Sequence, residues 1–218
     1  MKKSLKTLLV ALPFGMTAAT ASAGEVYGTA GFLGYGLGYA QPIGPHLGVR
    51  ADFATMGSRS ERRTEEGITY DANAKLDRTN LLLDWFPMAG TFRVSTGMTF
   101  ANSKLVLDAS GAGGTLTIGG TTYTTTAADG FNATIKYPST MPYIGIGWGH
   151  GMQSSGGWRF ALDVGAAIGK PKVSVVTRGQ LALPAAQADV DRETQELRDG
   201  VGAVKVLPQV MLSVGYSF

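Results

Sequence analysis

The chain of 218 residues has no cysteine and only two histidines, and nothing in it resembles a membrane-crossing helix. Without thiols there are no disulfides, no thiolate metal sites and no lipid-modified N-terminal cysteine, so the chain draws its stability from elsewhere. A transmembrane helix needs about 20 predominantly apolar residues, and the run Leu8–Phe14 falls far short of that. Amphipathic helical spacing is nearly absent along the rest of the chain.

A charge surplus is missing too, once the N-terminus is set aside. Met1–Lys6 is basic, an apolar run follows, and Ala21-Ser22-Ala23 supplies the small residues of a cleavage site, which together make a secretory signal. Residues 1–23 are expected to be removed as a signal peptide, leaving residues 24–218 as one domain. Lys2, Lys3 and Lys6 leave with the signal, so 16 of the 19 Lys and Arg residues remain, against 16 Asp and Glu. A neutral mature chain with no basic stripe of interleaved aromatics excludes nucleic acid as a partner.

The residues of catalysis are equally scarce. His46 and His150 both fall at expected short turns, with no Ser or Asp spaced as in a triad. Neither a metal-ligand cluster nor a phosphate-cradling glycine loop occurs. No catalytic, metal or cofactor site is assigned, and the chain reads as a non-enzyme.

What the sequence does have is glycine, 31 residues of it, and alternation. The last nine residues, VMLSVGYSF, place Val210, Leu212, Val214, Tyr216 and Phe218 on one face of a strand and Met211, Ser213, Gly215 and Ser217 on the other. The same period of two runs through 27–39, 47–54, 80–85, 92–100, 143–148 and 158–168. One face is large and apolar throughout. The other is Gly, Ala and Ser with scattered Arg and Asp, where a soluble sandwich would carry Lys and Glu, and such a face suits a narrow polar lumen. Short connections near 41–46, 86–91 and 149–157 trade with long stretches near 58–72, 108–132 and 171–203, the signature of short periplasmic turns and long outer loops. Tyr39, Trp85, Phe92, Trp148, Trp158 and Phe218 lie beside the short turns or the C-terminus and form one interfacial girdle.

The pattern predicts an all-β fold: a transmembrane antiparallel β-barrel of about eight strands in the cell outer membrane. Seven spans are evident, and the eighth lies either in a split of residues 25–40 or in Val173–Leu183. Tyr216 and Phe218 are the expected assembly signal, read by the barrel-assembly machinery. Residues 187–199 read as a short extracellular helix before the last strand, either covering the mouth or simply exposed, with Arg192 and Glu196 spaced i,i+4.

By parity Arg50, Asp52, Asp84, Arg93, Arg159 and Asp163 all face the lumen. Asp84, Arg93 and Arg159 are expected to form a layer near the periplasmic end, with Arg50, Asp52 and Asp163 one layer above. Charges of both signs admit two arrangements, a selective pore or a neutral network that closes an interior barely wide enough for side chains. The mixed run Ser58–Glu66 reads as a solvated outer loop, in which Arg59, Arg62 and Arg63 are candidates to contact lipopolysaccharide phosphates.

Thr134–Tyr137, Met141–Gly147, Trp158–Gly169 and Gly169–Val173, followed by the charged segments Ala188–Glu193 and Glu196–Asp199, resemble the CarO-type family of small outer-membrane proteins, also described as ornithine-uptake porins. The specific similarity lies in the C-terminal part, while the N-terminal half agrees in barrel pattern. The resemblance implies a narrow passive channel for small solutes, basic amino acids among them, with no catalytic residues. The alternative from the residues alone is a non-conducting barrel with a structural role or one in host or lipopolysaccharide interaction. Outer-membrane lipid and lipopolysaccharide are the expected partners in both cases.

Overall fold

The computed structural model describes residues 24–218 apart from 66, 67, 112, 152–155, 203 and 204; the expected signal peptide lies outside the described residues. It contains β1 (Glu25–Gly31), β2 (Gly34–Pro42), β3 (Leu47–Glu65), β4 (Ile68–Trp85), β5 (Arg93–Gly111), β6 (Thr115–Ile118), β7 (Thr121–Thr124), β8 (Gly130–Lys136), β9 (Thr140–Trp148), β10 (Gly157–Ile168), β11 (Lys172–Arg178), α1 (Gln187–Gly202) and β12 (Val206–Ser217).

Eight of these strands close into an antiparallel ring in the order β1-β2-β3-β4-β5-β9-β10-β12, with β12 returning to β1. Residues 25–42 supply two strands, which settles where the eighth lies. Phe32 and Leu33 make the turn between them, and Gly34 completes it at φ +98°, a conformation that L side chains rarely adopt. Leu33 does not face lipid with Tyr35, as the alternation suggested; it is buried under the turn.

Val26, Leu37, Val49, Leu83, Met98, Ile146, Phe160 and Val214 are exposed on the outer face, which is the lipid face of a barrel. Phe92 packs against Trp148 with ring centroids 5.3 Å apart, and Trp158 meets Tyr216 edge-on at 5.7 Å. Both pairs sit at the end that holds the chain termini and the short turns.

Beyond the opposite end the strands continue. Residues 58–72 were expected to form a loop, but β3 and β4 stay paired from Leu47–Trp85 to Glu65–Ile68, with a bulge between Thr55 and Gly57. The alternation persists there in polar residues, which hides it from a reading based on hydrophobes. The outer half of β5 pairs with β8, and β8 with β11, so the second candidate for the eighth strand is also a strand but belongs to this outer extension and not to the ring. α1 packs along β11, and Val190 joins Ile68, Ala109, Leu116, Ile118 and Leu181 in a second apolar core. Arg192 turns to the carbonyl of Gly119 and to Asp189, not to Glu196.

Candidate functional site

The inward face of the ring is filled from end to end. At the periplasmic rim the Arg159 Nε donates to Ser217 Oγ at 2.6 Å, and His150 Nδ1 donates to Glu25 Oε1 at 2.7 Å. His150 is therefore not a turn histidine in water. It is buried beneath the barrel floor, with its ring 4.4 Å from that of Tyr27. Nothing in a lone histidine beside glycines signals this, because its partner is 125 residues away.

The next layer holds Arg50, Asp84, Arg93, Ser95 and Asp163. Arg50 Nε donates to Asp84 Oδ2 at 2.9 Å while its Nη1 lies 3.0 Å from Asp163 Oδ2. Arg93 donates through Nη2 to Asp163 Oδ1, and Ser95 Oγ donates to Asp84 Oδ1 at 2.5 Å. The register explains why β5 and β10 can reach across β9: Gly147 stands opposite both Arg93 and Asp163. A Cβ there would lie 2.6 Å from Arg93 Cζ, so the two side chains meet over the space a glycine leaves. Tyr27 lies over Gly38 in the same way.

Above this layer Arg78 Nη1 donates to Asp52 Oδ1 at 2.8 Å, and Asn80 Nδ2 reaches both Asp52 Oδ1 at 3.3 Å and Gln209 Oε1 at 3.0 Å. Thr99 links Asn80 and Gln209. The outer end is closed by apolar side chains, Leu33, Ala101, Met141, Ala167 and Leu207, while Leu82 packs against them from the level of Arg50. The cavity that runs between Tyr27, Arg50, Asp52 and Tyr143 measures about 10 Å³, room for one water molecule.

The structure thus brings Arg50, Asp84, Arg93 and Asp163 into one cluster. The expected two-layer division is corrected: Arg50 and Asp163 belong with the periplasmic layer, Arg159 sits below it at the rim, and only Asp52 lies above. A parity argument fixes which face a residue takes but not its height, because the barrel's stagger offsets neighbouring strands. Arg78 and Gln209 lie just outside the alternating stretches 80–85 and 210–218, and Asn80, although on the inward face of its stretch, carries no charge to mark it.

Arg59, Arg62 and Arg63 are exposed on the extension, but strand pairing separates them. Arg62 stands opposite Asp71 on the outer face and is bound to it at 2.5 Å, whereas Arg59 and Arg63 share the opposite face with Tyr70 and Ala72. Arg63 holds Glu61. The three do not make one phosphate site. That second face, with β8, β11 and α1, encloses an apolar chamber of about 430 Å³ between Leu105, Leu107, Phe131, Ile135, Val175 and Leu197. Tyr216 and Phe218 are exposed at the periplasmic rim, and Phe218 N donates to Gly24 O at 3.1 Å.

No family model and no curated protein matches the chain. Among solved structures it is similar to Acinetobacter baumannii CarO2, with a TM-score of 0.61 and 19% identity over 90% of this chain and 98% of that one. The chain has the CarO-type fold. Acinetobacter baumannii CarO gives a TM-score of 0.57 at 19% identity over 89% of this chain and 97% of that one. A major outer membrane protein from Thermus thermophilus follows at a TM-score of 0.43 and 14% identity, over 91% of this chain and 100% of that one. This chain is an outer-membrane-type barrel, a ring of eight antiparallel strands with one short helix before the last.

Proposed function

We propose that this chain is a non-catalytic barrel of the outer membrane whose lumen is closed at rest. The observation that carries this is the stack of ion pairs, hydrogen-bonded amides and apolar side chains, between whose layers lie cavities of only about 10 and 20 Å³. Four buried acids, Glu25, Asp52, Asp84 and Asp163, face Arg50, Arg78, Arg93 and the half-buried Arg159, so the lumen carries no excess charge of either sign. Export through the signal peptide and recognition of Tyr216 and Phe218 by the assembly machinery complete this reading.

The second reading is the passive channel for basic amino acids that the CarO-type resemblance implies. It has one structural support, the carboxylates of Asp52, Asp84 and Asp163 along the lumen, and it requires Arg50, Arg78 and Arg93 to leave them. Single-channel recording of the native protein in planar bilayers separates the two. No unitary current at any voltage is the expected result, and resolved steps that a basic amino acid blocks would establish the channel instead.

A further inference from the structure

Just outside the lipid face the extension carries four lysines in one line. Lys75 on β4 stands directly opposite Lys104 on β5, Lys104 opposite Lys136 on β8, and Lys136 opposite Lys172 on β11. All four are exposed, and all lie on the outward face, the parity of Leu83 and Phe100 below them. Neighbouring strands are about 4.8 Å apart, so four ammonium groups span about 15 Å.

Like charges placed directly opposite destabilise a sheet, and three such steps in succession are not a neutral outcome of surface composition. A lysine on an edge strand discourages strand addition, which accounts for Lys172 on β11 but not for Lys104 and Lys136 inside the sheet. Local acids offset only one of them. Lys75 reaches Asp77 at 3.2 Å, and the next outward acid on β5, Asp108, is engaged by Arg178 at 2.7 Å. Lys104, Lys136 and Lys172 have no ion pair among the described residues.

Their height identifies the counter-charge. On β5 the outward residues run Val94, Thr96, Met98, Phe100, then Asn102 and Lys104, so the lysine row begins about 13 Å along a tilted strand past the last aromatic. Lys136 and Lys172 are the membrane-proximal ends of β8 and β11. Long stems at that level reach down to a headgroup layer that extends about 5–8 Å beyond the hydrocarbon. The row lies on the side away from the termini and the short turns, the outer leaflet, where the phosphorylated lipid of an outer membrane is lipopolysaccharide.

We propose that Lys75, Lys104, Lys136 and Lys172 form a binding site for lipopolysaccharide phosphates, in place of the arginines of the 58–66 run. The test compares the native barrel with the triple variant Lys104→Gln/Lys136→Gln/Lys172→Gln, titrated in detergent with rough lipopolysaccharide, with the same material stripped of phosphate, and with phosphatidylglycerol bicelles. The native protein is expected to bind intact lipopolysaccharide about 100-fold more tightly than the variant does, from about one surface-lysine contribution each. It is expected to bind the stripped material as weakly as the variant binds the intact one. Thermal unfolding gives a second readout that does not depend on affinity: without lipid the variant melts no lower than the native protein, because repulsion has been relieved, and saturating lipopolysaccharide reverses the order. The Lys→Arg triple keeps the binding. Equal affinity of native and Gln proteins overturns the site, a lower melting point of the Gln variant without lipid makes the row structural, and phosphatidylglycerol binding as tight as lipopolysaccharide makes it a generic anionic surface.

Discussion

Asp163 shows how a lumen charge is held. Its two oxygens serve Arg50 and Arg93, guanidinium groups of which neither is exposed by more than a few per cent. Burying charges costs free energy that only the partner offsets, so Asp163→Asn leaves two arginines under-compensated and is expected to lower stability by about 3–5 kcal/mol in denaturant unfolding of the refolded barrel. The exposed pair Arg62 and Asp71 is the internal control, with the Arg62 side chain 73% accessible. Arg62→Ala is expected to change the same midpoint by less than about 1 kcal/mol. Comparable losses from both variants would mean that the lumen network carries no special weight.

Among the elements, the outer extension is set apart by its carboxylates. Arg178 holds the Asp108 carboxyl below its ordinary value of 3.8, the backbone N–H groups of Gln180 and Thr126 do the same for Asp129, and the Tyr123 hydroxyl for Asp189. These contacts tie β5 to β11, β8 to the turn after β11, and β7 to α1. A carboxylate whose folded pKa is depressed adds stability that is complete at neutral pH and is lost as the pH falls through 3.8 and below. Amide protection factors in α1 and β11, taken against the intrinsic rate at each pH, are therefore expected to fall on going from pH 7 to about pH 3, while those of the ring strands hold. Uniform protection across that range would show that apolar packing around Val190 and Leu181 alone holds the extension.

For the molecule as a whole, closure is the decisive property. β12 carries the last hydrogen bonds of the ring, pairing with β1 on one side and β10 on the other. Phe218 is bound to Gly24 and stands 64% exposed at the interface. Residues 24–218 are expected to refold in detergent as a β-rich monomer whose gel mobility changes on boiling. Deleting Phe218 is expected to reduce surface assembly in cells far more than Phe218→Trp, which keeps an interfacial aromatic. Equal surface levels of the two variants would remove the terminal aromatic from the assembly signal.

The sequence by itself determined the barrel. Alternation over Leu47–Phe53 or Val210–Phe218 assigns each residue to lipid or lumen, because a strand has only two faces and lipid accepts only one of them. It placed Arg50, Asp84, Arg93 and Asp163 inside for the same reason, and the charged segment before β12 as a helix. Which charges meet was decided only by the closed ring: Asp163 reaches Arg93 across Gly147 through a register set by strand tilt and stagger, and His150 finds Glu25 only once the two ends of the chain are side by side. The extension was hidden for a related reason. In β3 the run Ser58–Glu65 stands in water and is polar on both faces, so its alternation has no apolar half to reveal it, and four lysines far apart in the chain become one row only when β4, β5, β8 and β11 are paired.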